Sequence, residues 1–125
     1  MEAYGMPKGT EAQQQSRHAA IQDATKNAIE IPMRVARLAA DAMAIAEEMA
    51  ATGNPNSITD AGVGAMTIRT GVKGAILNAR VNLQDLEDAM FSAAVVAEAD
   101  ALWTDVDARE ARVLERVAAV LGGAA

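Results

Sequence analysis

Gly53-Asn54-Pro55-Asn56-Ser57-Ile58-Thr59-Asp60 separates two long segments whose apolar residues recur at helical spacing. Gly53 stops one helix, Pro55 forbids its immediate restart, and Ser57 with an acid three residues later has the form of a cap for the next. The stretch therefore reads as a tight polar corner between two helices, the kind of loop that carries function more often than the helices beside it.

Working outward toward the N-terminus, Pro7 and Gly9 mark a turn, and Thr10 with Gln13 forms a capping-box pattern. From there Ile21, Ala24, Ala28, Ile31, Val35, Leu38, Ala42, Ile45 and Met49 follow in steps of three and four without a slip. They define one face of one long helix, with a kink expected at Pro32 rather than a break. Toward the C-terminus, Ala61, Gly64, Ile68, Gly71, Ala75 and Asn78 share a face of the second helix, with Gly62 and Gly74 as further small positions. Each mid-helix glycine costs up to about 1 kcal/mol relative to alanine. Close packing of helix backbones is one reason to keep them; room for a flat ligand along the helix is the other. Asn78, Arg80 and Asn82 alternate with Ala79, Val81 and Leu83, so this helix is expected to loosen or end there. Leu86 to Leu121 reads as a last long helix closed by Gly122 and Gly123. Its apolar positions are Leu86, Met90, Ala93, Ala97, Ala101 and Leu102, then Val106, Val113, Val117 and Val120. Its charges, from Glu98 and Asp100 to Glu115 and Arg116, read as a solvated face. The fold class expected is all-α, an elongated bundle of about three long helices.

Composition supports this and narrows the partners. Alanine supplies roughly a quarter of the 125 residues, and Tyr4, Phe91 and Trp103 are the only aromatics. Alanine buries little area, so such a core needs close helix approach or further helices from a partner, and exposed apolar stripes are the expected result. Without cysteine, disulfides and thiolate metal sites are excluded. No apolar run is long enough to span a bilayer and no signal peptide is evident, which makes the cytoplasm the default expectation. A net charge of −6 disfavours nucleic acid or an anionic membrane as partner. That charge divides as −2 over residues 1–52, +2 over 53–84 and −6 over 85–125. Only the segment holding the corner and its helix is locally positive.

Few residues could carry chemistry. His18, the one histidine, lies in a polar run and reads as a surface residue, and no His and carboxylate cluster has metal spacing. What remains is Asp60 with Asn54, Asn56, Ser57 and Thr59 at one end of the second helix, and Asn78, Arg80 and Asn82 at the other. On the residues alone a purely structural role comes first: asparagines shaping the turn, Ser57 and Asp60 capping the helix. At about 1.5 Å per residue the two clusters lie roughly 27 Å apart, so they meet only across a subunit interface or at opposite ends of an elongated ligand.

At these residues the sequence resembles the formiminotetrahydrofolate cyclodeaminase and methenyltetrahydrofolate cyclohydrolase family. The likeness is carried by Gly53-Asn54-Pro55-Asn56, by Ser57 to Val63 around Asp60, and by Ala75 to Leu83 with Asn78-Ala79-Arg80-Val81-Asn82-Leu83. It extends upstream to Ala3-Tyr4 with Pro7-Lys8 and through Ala20 to Pro32, and weakens after Leu86. Residues 1–125 are thus expected to be a single cyclodeaminase-like helical domain that lacks the family's N-terminal helices and their glycine-rich and acidic motifs. The resemblance implies one-carbon chemistry on a reduced folate in histidine degradation: cyclisation of 5-formiminotetrahydrofolate to 5,10-methenyltetrahydrofolate with loss of ammonia, or hydrolysis of the methenyl bridge. It implies Asp60 as the catalytic carboxylate. Asn54, Asn56, Ser57, Asn78 and Asn82 would bind substrate, and Lys73 and Arg80 would meet the folate's carboxylates. No metal and no cofactor beyond the folate substrate are expected. The expected partner is a second copy of the chain, a homodimer with the folate site between subunits. A non-catalytic helical dimerisation unit is the alternative from another class.

Overall fold

The computed structural model describes residues 2–122; Met1 and the Gly123 expected to close the last helix lie outside the described residues. A short 3-10 turn, Glu2–Gly5, leads into α1 (Glu11–Thr52), followed by a second 3-10 turn at Pro55–Ser57, α2 (Ile58–Leu83) and α3 (Ala89–Gly122). Among the described residues there is no strand, and the architecture is all-α with three long helices, as expected.

Local chemistry sets most of the boundaries. Thr10 accepts from the backbone of Gln13 at 3.2 Å, and Gln13 returns a bond to the backbone of Thr10 at 3.1 Å, completing the capping box. α1 then runs unbroken through Pro32. Because proline has no N–H, the carbonyl of Ala28 loses its usual donor there. At the other end Gly53 donates to Met49 O at 2.9 Å with an ordinary negative φ. A Cβ at this position would fall 2.4 Å from that carbonyl, so close approach, not a left-handed backbone, is what demands glycine.

α2 ends at Leu83, the last residue of the Asn78–Leu83 run where it is expected to loosen or end, and it stays helical to that point because Ile76 and Ala79 are buried and tertiary packing overrides weak propensity. One boundary differs from expectation. α3 begins at Ala89 rather than Leu86, since Asp88 Oδ1 accepts from Phe91 N at 3.0 Å and starts the helix.

α2 returns antiparallel to α1, and α3 runs back along both. Lys26 pairs with Asp88, Arg37 with Glu98 and Glu47 with Arg109, in the same order along α1 and α3. Arg80 pairs with Asp100 and Lys73 with Asp107, in reverse order along α2. The core fills the space between: Ile29, Met33, Ala36, Ala40, Met43, Ala46 and Ala50 from α1, with Ile58, Ala65, Val72, Ile76 and Ala79 from α2. From α3 come Val95, Ala99, Val106 and Val113.

Two readings of the sequence are corrected here. The charges of α3 are not simply solvated: Glu98, Asp100, Asp107, Arg109, Glu110 and Arg112 are partners of α1 or α2, while Glu115 and Arg116 are exposed. In the first half of α3 the buried side is Val95 and Ala99, leaving Ala93, Ala97 and Ala101 exposed and Met90 at 86% exposure. The expected exposed stripe lies on α1, where Ile31, Val35, Leu38, Ile45 and Met49 are all about half or more exposed on the side turned away from α3. No described helix is long and apolar enough to cross a membrane.

Candidate functional site

The open side of the α1–α2 hairpin holds two clefts. The first, of about 380 Å³, lies at the corner, where Ile45 and Met49 of α1 face Ile68 and Gly64 of α2, and Gly53, Asn54, Ser57 and Asp60 close the end. Its walls are apolar and its polar groups are gathered at one pole. The second, of about 460 Å³, lies at the opposite end of the hairpin, with Pro32 and Val35 on one side and Ala75, Asn78, Val81 and Asn82 on the other.

Each polar residue at the corner is placed by a local rule. Asn54 Oδ1 accepts from Asn56 N at 3.0 Å, an Asx turn that starts the short 3-10 turn and fixes the Asn54 side chain. Ser57 sits at the start of α2 but makes no side-chain capping bond, contrary to the cap read from the sequence, because the 3-10 turn already leads the backbone into the helix. Its hydroxyl is therefore uncommitted to the helix and lines the cleft. Asp60 is exposed in the first turn of α2, where the helix dipole favours negative charge, and lines the cleft too. Asn56 and Thr59 are exposed and are not among the cleft's lining residues.

At the far end Asn82 Nδ2 donates to Asn78 O at 2.9 Å, which leaves the Asn82 carbonyl oxygen as its free acceptor. Ala28, whose carbonyl loses its usual helical donor at Pro32, is among the residues lining the same cleft.

Lys73 and Arg80 occupy another side of α2. Lys73 Nζ donates to Asp107 Oδ2 at 2.6 Å and lies 4.3 Å from the centre of the Trp103 ring; Arg80 bonds Asp100 and flanks the same ring at 5.9 Å. Arg69, the third base of the locally positive segment, pairs with Asp107 and Glu110. Lys73 and Arg69 together hold the Asp107 carboxyl below the usual carboxylate range. The +2 charge of residues 53–84 is thus matched to the acids of α3, and the clefts contain one charged lining residue, Asp60.

The glycines divide in the same way. A Cβ on Gly62 would meet Val117 Cγ2 at 3.1 Å, so α3 packs closely on it. Gly64, Gly71 and Gly74 meet nothing within 4 Å. Packing inside the chain accounts for one glycine of the four, and the other three lie bare.

Among the described residues no group of His, Cys, Asp and Glu could hold a metal ion. The arrangement suits a flat or elongated ligand with an apolar body and a cationic or hydrogen-bonding end placed at Asp60.

Residues 1–101 match the family model described as formiminotransferase-cyclodeaminase. The chain is 36% identical over 117 residues to methenyltetrahydrofolate cyclohydrolase of Methylorubrum extorquens, covering 94% of this chain and 56% of that protein. It is 32% identical over 119 residues to formimidoyltransferase-cyclodeaminase of Sus scrofa and 33% over 115 residues to that of Dictyostelium discoideum. Those matches cover 95% and 92% of this chain, and 22% and 20% of the two relatives. The chain therefore spans about half the length of the bacterial relative and about a fifth of the other two. With the family's model matched over most of its length, the chain belongs to the formiminotransferase-cyclodeaminase family.

Proposed function

We propose that the chain, a single helical domain, acts on a reduced folate as a cyclodeaminase, converting 5-formiminotetrahydrofolate to 5,10-methenyltetrahydrofolate with release of ammonia. The observation that carries this reading is the lone carboxylate of Asp60 at the polar end of an apolar cleft. In the reaction folate N10 attacks the formimino carbon on N5, forming the N10–C bond. The tetrahedral adduct then breaks its bond to the formimino nitrogen, which leaves as ammonia with the N10 proton and one proton from solvent. The product cation is delocalised over N5, carbon and N10, and a fixed carboxylate beside it stabilises the charge that develops. Asp60 serves as that partner, or as the base that receives the N10 proton. Asn54, Ser57, Asn78 and Asn82 offer directional hydrogen bonds to the pterin or the one-carbon unit, and Asn56 fixes the corner through its backbone bond to Asn54. Lys73 and Arg80 serve this reading as the ion pairs and ring contacts that hold α2 on α3. The folate is the substrate, the working form is a homodimer, and the reaction is cytoplasmic; the reading calls on no further cofactor.

A second reading, hydrolysis of the methenyl bridge, is favoured by the bacterial relative's name and its 94% coverage of this chain. Here water adds to the bridging carbon of the same cation, and Asp60 would accept the water's proton. Assaying both substrates separates the two. Asp60→Asn keeps the shape and removes the charge, so turnover is expected to fall by about 10²-fold or more; unchanged turnover removes Asp60 from the mechanism. Calorimetry with a reduced folate distinguishes either enzyme from a non-catalytic helical unit, for which no heat would be seen.

A further inference from the structure

We propose that the cleft between the last turns of α1 and the C-terminal half of α3 binds a compact multivalent anion, a phosphate or a small polycarboxylate, through Arg112 and Arg116. The site lies between α1 and α3, apart from the two clefts of the open hairpin face, and does not rest on the folate reading.

The cleft holds about 310 Å³. Ala50, Ala51 and Val113 give it an apolar floor, and its charged lining is Glu47, Arg112 and Arg116. Two cations against one carboxylate make that lining positive in a chain whose net charge is −6. The carboxylate is already occupied. Its Oε2 accepts from Arg109 Nε and Nη2 at 2.9 and 2.7 Å, and its Oε1 accepts from Arg112 Nη2 at 2.8 Å. That bond leaves most of the Arg112 guanidinium donors free, on a side chain 60% exposed. Arg116 is exposed and makes no ion pair among the described residues. The other acids nearest in sequence, Glu48 and Glu115, are exposed and do not line the cleft.

Arg112 and Arg116 stand one turn apart on the same face of α3, where like charges repel. Packing does not call for the pair: the Arg109–Glu47 bonds and the buried Val113 already fix α3 on α1 at this level. The end of α1 does not use them as caps either. Gly53 N closes on Met49 O and Thr52 Oγ on Glu48 O. An anion bridging the two guanidiniums removes the repulsion and takes up donors otherwise left to water. Arginine at both positions supplies planar forks that match phosphate and carboxylate oxygens two at a time, which lysine does not. The apolar floor strengthens the attraction by keeping water from one side. Volume limits the ligand, since the cleft is at the small end of the range of about 300–1,000 Å³ that ligand pockets span. A small anion fits better than a nucleotide. Both arginines lie beyond residues 1–101 matched to the family model, so the family assignment gives them no role.

The probes are inorganic phosphate and citrate, titrated into the protein at low salt while the arginine side-chain N–H signals are followed by NMR. The Arg112 and Arg116 signals are expected to move together and saturate, with a Kd on the order of 1 mM or tighter. Arg112→Gln and Arg116→Gln should each weaken binding about tenfold, the effect of losing a charge-assisted hydrogen bond. Arg34→Gln, which removes an exposed cation elsewhere on α1, should change nothing. Either ranking of the probes supports the site, and the tighter one names the ligand class. Arg116→Gln has no ion-pair partner to lose and is expected to melt with the parent chain in probe-free buffer, so its loss of affinity reads the site alone. The same shifts from sodium chloride at matched ionic strength, no saturation by either probe at about 10 mM, or full affinity in either Arg→Gln variant would overturn the site. No readout uses folate, so the folate reading stands or falls separately.

Discussion

The two sides of the α1–α2 hairpin are built by opposite means. Toward α3, every base of α2 is paired, the large apolar side chains of α1 and α2 are buried, and Gly62 is filled by Val117. Away from α3, side chains of the same apolar kind are bare, three glycines face empty space, and the clefts hold one charged lining residue. The closed side has its interaction energy already satisfied within the chain. The open side holds unspent hydrophobic area and helix-weakening residues, and both gain only when something docks.

Large-to-small changes give the widest separation. Met33 is fully buried on the closed side, and Met33→Ala should lower unfolding free energy by about 2–5 kcal/mol in urea titrations. Leu38→Ala on the open side should cost less than about 0.5 kcal/mol in dilute protein. Its cost should grow as concentration rises, since a dimer links stability to association. Equal effects at low concentration would erase the distinction between the sides.

Next come the cross-helix ion pairs. The Arg109 side chain is 17% exposed, bonds Glu47 Oε2 through two nitrogens at 2.9 and 2.7 Å, and donates to Ala40 O at 3.1 Å. Arg109→Ala leaves a carboxylate and a carbonyl short of donors and should cost about 2 kcal/mol in the same titration. Arg34→Ala, on the open flank, should cost almost nothing in dilute protein.

Acid sharpens the same contrast. Arg109 holds the Glu47 carboxyl below its ordinary range, Arg37 does the same for Glu98, Lys26 for Asp88, and Lys73 with Arg69 for Asp107. A carboxyl depressed on folding stabilises the native state fully above its unfolded pKa of about 4 and loses that contribution as pH falls through the lower folded value. Docking of α3 should therefore weaken progressively below about pH 4, read as loss of Trp103 burial by fluorescence. Glu47→Gln combined with Glu98→Gln should flatten that dependence.

What the sequence discloses follows the range of the interactions. The Thr10–Gln13 box and the Gly53 stop are legible because their partners lie within four residues. The α1 pattern is only half legible. Ile29, Met33, Ala36, Ala40, Met43, Ala46 and Ala50 form a second seam as regular as the exposed one, and periodicity shows that a seam exists but not which neighbour covers it. The charges of α3 look solvated because Arg37, Glu47, Arg69 and Lys73 stand 34 to 65 residues away from them. At the corner, residue types show that a cap is needed, yet the Asx turn of Asn54 supplies it and leaves Ser57 facing the cleft.

The smallest predicted effect is the most discriminating, because its sign changes with what covers the surface. Gly71 meets no atom within 4 Å, so Gly71→Ala adds a methyl into empty space and removes a helix-weakening residue. In dilute protein this should stabilise the chain by up to about 1 kcal/mol. At Gly62 the added Cβ would stand 3.1 Å from Val117 Cγ2 and 3.6 Å from Leu114 Cδ2, and the cost of moving those side chains offsets the same gain. Gly62→Ala should therefore be near neutral or destabilising at every concentration. If a second α2 crosses at Gly71, the Gly71→Ala methyl must be accommodated between two backbones, and the variant should fold better while associating less well. Thermal melts over a concentration series would show the two curves crossing, the substituted chain more stable when dilute and less stable when concentrated. Stabilisation that persists at all concentrations would mean that the glycine face is kept open for something other than a helix.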